Sequence, residues 1–128
     1  GITAQELEAE PMWPTTRAYT DFLIRTAADG DLADLVAGLL PCAWGYVYVA
    51  QHLAKGRAPE DRRYADWIAQ YVSEEFVRAA DWLKGEMDRL AAGARPAKRQ
   101  RLVEIFLLSS RYEWLFWEMC WKGEEWPV

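Results

Sequence analysis

The chain has 128 residues, enough for one hydrophobic core and too few for two domains. Apolar residues make up 52% of the sequence and eight residues are tryptophan, a content that disordered chains do not have. The formal net charge of −5 argues against nucleic acid or an anionic membrane surface as the main partner, because both are negatively charged.

Residues 1–14 are acidic and contain Pro11 and Pro14, so we predict an extended lead-in there. Beyond it, apolar residues recur at helical spacing, and no segment shows the sustained alternation of a β-strand. The predicted helices cover about residues 15–28, 32–54, 60–71, 73–90 and 97–121. We therefore predict an all-α fold, a bundle of about five helices.

Local signals mark the helix boundaries. Gly30 ends the first predicted helix, and Asp31 is a suitable N-cap for the second, with Asp34 in its first turn. Ser73 is a suitable N-cap for the fourth helix. The apolar run at about residues 35–50 is shorter than the roughly 20 residues that cross a bilayer, so it predicts a core helix.

The sequence has one basic cluster, at the start of the last predicted helix. It consists of Arg95, Lys98, Arg99 and Arg101. No aromatic residues are interleaved with these side chains, so we expect a solvated turn and first helical turn rather than a nucleic-acid site.

The two cysteines, Cys42 and Cys120, lie far apart and have no neighbouring histidine or cysteine. This spacing does not match a zinc site, and we predict no metal or other cofactor. One disulfide is an alternative, but free thiols in a cytoplasmic protein are the simpler interpretation, because no secretory segment is recognisable.

Pro41 stands in the middle of the second predicted helix, where a proline costs roughly 3 kcal/mol. Its missing N–H leaves the carbonyl of Ala37 without a helical partner, and such an opening gives a ligand or side chain access to the backbone. Cys42 follows, on the same helical stripe as Tyr46. The alternatives are a functional thiol in an opened helix and a buried cysteine that acts as a small hydrophobe.

Glu113 lies in "SSRYEWLFWEM", on a helix face lined by rings and small hydroxyls. If that face is inside the protein, the carboxylate is poorly solvated and suited to hold or deliver a proton. A partly exposed glutamate at a helix edge is the alternative. The tyrosines offer hydroxyls and flat faces that suit a planar heteroaromatic ligand, or they are core residues.

Four blocks of the sequence, in order, resemble the TenA family of thiaminase II and aminopyrimidine aminohydrolase. These blocks are "PTTRAYTDFLIRTA", "LADLVAGLLPCAWGYVYV", "YADWIAQYVSEEF" and "IFLLSSRYEWLFWEMCW". The resemblance implies an all-α fold like that of haem oxygenase, with residues 15–128 as the C-terminal part of a TenA-like domain. It also implies hydrolysis of thiamin-pathway pyrimidines, either by cleaving thiamin or by deaminating an aminomethyl aminopyrimidine.

The resemblance also assigns roles to individual residues. Cys42 in "LLPCAW" matches the nucleophile of the cysteine-containing branch, and Glu113 in "SSRYEW" matches the acid/base glutamate. Further matching residues, expected to contact the substrate, are Tyr19, Tyr46, Tyr71 and Phe116.

The family's leading helices carry an aspartate that binds the pyrimidine, and residues 1–14 do not supply it. We therefore expect this chain to be a C-terminal portion, or to be completed by a partner chain. The resemblance implies a homo-oligomer, commonly a tetramer, and the many aromatic residues suggest a wide apolar surface covered by other helices. The alternative functions are a non-catalytic ligand-binding or interaction module, or an inactive fragment.

Overall fold

The computed structural model describes residues 2–127, and these form helices and connecting loops with no strand. The helices are α1 (Ala4–Ala9), α2 (Pro14–Asp29), α3 (Leu32–Leu40), α4 (Tyr46–Leu53), α5 (Arg62–Tyr71), α6 (Glu74–Ala91) and α7 (Pro96–Lys122). A π-helical segment, Pro41–Gly45, joins α3 to α4 without a break. The predicted all-α fold is confirmed, and each of the five predicted helices is present.

The prediction of an extended lead-in over residues 1–14 was wrong for α1. A reciprocal cap forms this short helix: the Glu6 amide donates to Thr3 Oγ1 at 3.2 Å, and the Thr3 amide donates to Glu6 Oε2 at 2.8 Å. Residues 11–13 are not helical, and α2 then begins at Pro14, a position where no backbone donor is needed. The predicted lead-in began at residue 1 and the predicted TenA-like part ended at residue 128, and both of these residues lie outside the described ones.

The continuous helix formed by α3, the π segment and α4 is the centre of the fold. Its first part, α3, contacts α2, α6 and α7. Ala33 and Ala37 of α3 pack with Leu102 of α7 in the main buried cluster. Small residues let the helices approach closely, because they add little bulk between the backbones.

By length and composition alone, the 22-residue helix Leu32–Leu53 is sufficient to cross a membrane, which corrects the expectation that the apolar run was too short. The core helix of a globular protein passes the same test. The helix also contains the charged residue Asp34, which is 2% exposed, and its flanks are packed by other helices of the chain.

An ion cluster around the buried carboxylate of Asp34 fixes the beginning of α3 to α7. Lys98 Nζ lies 2.7 Å from Asp34 Oδ1 and 2.8 Å from Asp31 Oδ1, and Arg101 Nε lies 3.2 Å from Asp34 Oδ1. The Asp31 amide also donates to Asp34 Oδ2 at 3.2 Å, as part of the N-terminal cap of α3. The expectation that the basic cluster is only solvated was therefore wrong for Lys98 and Arg101, because their long side chains reach carboxylates on another helix.

The same cluster controls the ionisation of Asp34. Burial alone would raise the pKa of Asp34, but the hydrogen bonds from Lys98, from the Asp31 amide and from Arg101 outweigh it. The pKa therefore lies below its ordinary value of 3.8, and the ionised carboxylate stabilises the folded chain.

We predict that Asp34→Ala lowers the free energy of unfolding by about 3 kcal/mol, because it removes the buried partner of two cations and a helix cap. The control is Asp29→Ala, which removes an exposed pair with Arg25 and is expected to cost less than about 0.5 kcal/mol. Urea denaturation at pH 7 measures both. Since the pKa of Asp34 is lowered below the 3.8 of the unfolded chain, its contribution is complete above about pH 5 and is lost as the pH falls through the folded-state pKa. Equal losses for the two variants would contradict the prediction.

Candidate active site

An aromatic cleft of about 280 Å³ lies between the π segment, α4, α5 and α7. Its walls are formed mainly by rings: Trp44, Tyr46, Trp67, Phe106, Trp114 and Trp117. The polar side chains that line it are Glu113 and Ser110, both on α7. A mostly apolar cleft with a few polar groups is typical of sites that bind small molecules.

The π segment is the structural consequence of Pro41. Proline has no N–H to donate to the preceding turn, and the backbone responds with wider π turns rather than an α-helical ladder. Pro41 itself is buried, whereas Cys42 is exposed. The predicted opening of the helix is confirmed, and the alternative of a cysteine packed in the core is not supported.

Glu113 is held by Tyr19 from α2. The Tyr19 hydroxyl donates to Glu113 Oε1 at 2.6 Å, a short distance typical of a hydrogen bond to a carboxylate. The same hydroxyl lies 3.0 Å from the Oγ of Ser109, and Ser109 Oγ donates to the backbone carbonyl of Gly38 at 2.6 Å. Tyr112 stacks on the Tyr19 ring, with centroids 5.3 Å apart, and this fixes the plane of the phenol.

Tyr46 of α4 lines the cleft, and Tyr71 of α5 packs against it. Their ring centroids are 5.0 Å apart, and the Tyr46 ring is 6.0 Å from both Trp67 and Trp117. Burial raises the pKa of Tyr46, and the nearby Glu113 carboxylate raises it further. Tyr46 is therefore a neutral phenol whose hydroxyl faces the same carboxylate as Tyr19.

Cys42 lies within the electrostatic reach of Glu113. Although the residue is exposed, the protein around the sulfur displaces part of its water, and this loss of hydration raises the pKa of the thiol. The negative charge of Glu113 raises the pKa further. The structure therefore brings the predicted thiol, the predicted carboxylate and the predicted tyrosines of α2 and α4 together in one region.

Of the six predicted site residues, Tyr46 and Glu113 line the cleft, whereas the other four do not. Tyr19 binds Glu113 from α2, Tyr71 packs against Tyr46, and Cys42 is exposed on the π segment. The Phe116 ring meets the ring of Trp117 edge-on, with centroids 5.9 Å apart, and it is Trp117 that lines the cleft. Sequence reasoning did not assign roles to Ser109 or to the tryptophans of the cleft. The position of Ser109, four residues before Glu113 on the same helix face, was the available signal.

No metal centre is indicated among residues 2–127, because no three histidine, cysteine or acidic side chains come together there as ligands would. The polar groups at the cleft are hydroxyls and one carboxylate, and the Cys42 thiol lies within reach of the charge of that carboxylate. A thiol and a carboxylate are suited to nucleophilic addition and proton transfer.

Several known proteins are similar to this chain. It is 41% identical to the aminopyrimidine aminohydrolase of Halalkalibacterium halodurans, over 98% of this chain and 57% of that protein. It is 32% identical to the aminopyrimidine aminohydrolase of Bacillus subtilis, over 98% of this chain and 52% of that protein. The chain thus spans about half the length of the curated relatives it matches.

The fold is likewise found in a solved structure, the TenA homologue from P. horikoshii OT3. The TM-score is 0.86 at 30% sequence identity, and the match covers 95% of this chain and 56% of that one. A family model described as the TENA/THI-4/PQQC family matches residues 1–123. Since this match includes the cleft and every helix that builds it, the chain belongs to the TENA/THI-4/PQQC family.

Proposed function

We propose that the complete protein is a hydrolase of thiamin salvage, in which Cys42 is the nucleophile and Glu113 the acid/base group. Its substrates are pyrimidines of the thiamin pathway: an aminomethyl aminopyrimidine that is deaminated, thiamin that is cleaved, or both. The observation that carries the proposal is that Glu113 and Tyr46 line one aromatic cleft, while Cys42 lies close enough to Glu113 for the carboxylate charge to raise the pKa of its thiol. Relatives described as aminopyrimidine aminohydrolases support the substrate class.

The shape of the cleft suits a pyrimidine ring. The rings of Tyr46, Trp67 and Trp117 offer faces and edges to a flat ligand, with centroids 5.7 to 6.0 Å apart. A pyrimidine also has nitrogen atoms at its rim, which need a hydrogen-bonding partner when they leave water. Glu113, at the polar side of the cleft, provides a carboxylate for a ring nitrogen.

The raised pKa of Cys42 determines the order of proton movements, because the sulfur is a neutral thiol at rest. In the proposed reaction the thiol proton passes to Glu113, which delivers it to a ring nitrogen of the pyrimidine. This makes the ring electrophilic, and the sulfur bonds to a ring carbon. The bond between the exocyclic carbon and the amine then breaks, and the amine takes the proton from the ring nitrogen and leaves as ammonia. The hydroxyl of a water molecule adds to the exocyclic carbon and its other proton goes to the ring nitrogen. When the carbon–sulfur bond breaks, this proton returns to the sulfur, which restores the aromatic ring and the thiol.

We further propose that the working protein is cytoplasmic and that its site is completed by further protein, either more of the same chain or a partner chain in a homo-oligomer. Both cysteines are free thiols, as the reduced interior of a cell requires. Several large apolar side chains are exposed among the described residues, including Trp82, Trp114 and Trp121. Contact with additional helices would remove this apolar surface from water.

The nucleophile assignment predicts that Cys42→Ala lowers the rate of ammonia release from the aminomethyl aminopyrimidine at least about a thousand-fold in the complete protein. The same variant should lose thiamin cleavage if both reactions use the sulfur. Ammonia is followed with a coupled assay, and the pyrimidine product by chromatography.

Cys120→Ala is the matched control, because Cys120 is the second exposed thiol and lies in the last turn of α7. It should retain near wild-type turnover. Normal turnover by Cys42→Ala would refute the nucleophile assignment. A wild-type protein that binds the pyrimidine without turnover would instead favour the non-catalytic binding module.

The influence of Glu113 on the thiol predicts the pH dependence of alkylation. Because the carboxylate raises the pKa of Cys42, Glu113→Gln should lower that pKa and increase the rate of reaction with iodoacetamide several-fold at pH 8. The measurement is made in a Cys120→Ala background, by mass spectrometry over time. Glu104→Gln, which removes a carboxylate bonded to Gln100 on α7, is the control and should leave the rate unchanged. An unchanged alkylation rate in Glu113→Gln would contradict the prediction, because it would show that the Glu113 charge does not act on the Cys42 thiol.

A further inference from the structure

A line of three oxygen–oxygen contacts joins the Glu113 carboxylate to the backbone of α3. Glu113 Oε1 lies 2.6 Å from the Tyr19 hydroxyl, and this hydroxyl lies 3.0 Å from Ser109 Oγ. Ser109 Oγ in turn lies 2.6 Å from the Gly38 carbonyl, which it reaches from inside the protein because Ser109 is fully buried. The line therefore begins at a carboxylate and ends at a carbonyl.

The number of available protons does not match the number of contacts when Glu113 is ionised. A carboxylate and a carbonyl are acceptors, while tyrosine and serine hydroxyls each have one proton. Two protons must then serve three contacts. The Ser109 proton goes to the buried Gly38 carbonyl, which otherwise loses this donor, and the Tyr19 proton goes to the carboxylate. The contact between Tyr19 and Ser109 is left without a proton, and it is the longest of the three.

A proton on Glu113 removes this mismatch. The carboxyl can then donate to Tyr19, Tyr19 to Ser109, and Ser109 to the Gly38 carbonyl, so that all three contacts contain a proton. The change needs only a rotation of the Tyr19 hydroxyl from Glu113 towards Ser109, and no covalent bond is broken. The Tyr112 ring, stacked on Tyr19, holds the Tyr19 ring in place while its hydroxyl rotates.

We propose that Ser109 is a positioning residue that stabilises the protonated form of Glu113. Once Glu113 has taken up a proton, Ser109 Oγ accepts the hydrogen bond that the Tyr19 hydroxyl donates. The inference rests on the proposed function, in which Glu113 holds the thiol proton before passing it to the substrate. Ser109 touches neither the substrate nor Cys42; it acts through Tyr19. The buried Ser109 hydroxyl thus helps Glu113 to hold the proton until it passes to the substrate.

Other titratable side chains also face Glu113. Cys42 faces it from the π segment, Tyr46 from α4, and Tyr71 of α5 lies behind Tyr46. Burial and the hydrogen bond with Glu113 raise the pKa of Tyr19, whereas the contact with Ser109 lowers it. Because the net effect is a raised pKa, Tyr19 keeps its proton and changes only the acceptor to which it donates.

The test follows the infrared C=O band of the protonated Glu113 carboxyl against pH, in the complete protein without substrate. The band is identified by its loss in Glu113→Gln. Ser109→Ala should move the midpoint of this titration to lower pH by about one unit. In this variant the Tyr19 hydroxyl has no Ser109 Oγ to donate to when Glu113 is protonated, so the protonated form is less stable. Tyr19→Phe should move it to higher pH, since the ionised form loses its charge-assisted donor.

Two further variants and one further measurement separate this role from a structural one. Ser109→Thr keeps the hydroxyl and should restore the wild-type midpoint, while Ser110→Ala removes an adjacent hydroxyl bonded to the Phe106 carbonyl and should leave it unchanged. Circular dichroism checks that each variant is folded. If Ser109→Ala leaves the midpoint unchanged, or moves it in the same direction as Tyr19→Phe, the proposal is overturned.

The infrared titration requires no turnover, so it is independent of the proposed reaction. Absence of ammonia release by the wild-type protein would refute the proposed function without changing the expected opposite shifts. Normal ammonia release together with an unmoved midpoint in Ser109→Ala would refute the role of Ser109 alone.

Discussion

The missing backbone donor of Pro41 is the constraint on which the site depends. A proline inside an apolar helix costs several kilocalories per mole unless the backbone changes its hydrogen bonding, and here the helix changes to π turns over Pro41–Gly45. Buried residues on either side, such as Val36 and Val47, hold the two helical parts in the fold. The widened segment places Cys42 at the surface rather than in the core.

Two polar connections then hold α3 against α7, so that the thiol and the carboxylate keep their relative positions. The first is the ion cluster in which Lys98 binds Asp34 at the start of α3. The second is the hydrogen bond from Ser109 to the Gly38 carbonyl, just before the π segment. The Asp34 carboxylate and the Ser109 hydroxyl are both buried. Away from water, polar contacts are strong and unsatisfied polar groups are costly. Between them lies the apolar contact of Ala37 with the same helix.

The site could be predicted in its reactive groups but not in its supporting contacts. Cys42 and Glu113 were recognisable because a thiol after a helix-breaking proline and a carboxylate among rings are unusual in a local sequence. Ser109 was recognisable only as a small residue on the same helix face as Glu113. Its importance depends on Tyr19, 90 residues earlier in the chain, and on a backbone carbonyl of a third helix. No local pattern contains such a combination.

The sequence by itself determined the all-α fold, the helix boundaries and the weak point at Pro41, because periodicity, caps and proline geometry act over a few residues. It also contained the cap of α1, although the prolines nearby had suggested an extended segment. The tertiary structure decided which side chains meet: Lys98 reaches a buried carboxylate rather than water, and Glu113 faces both a phenol and the thiol. These partners are set by how the helices pack, since contacts between distant residues depend on the whole fold and not on the identity of near neighbours.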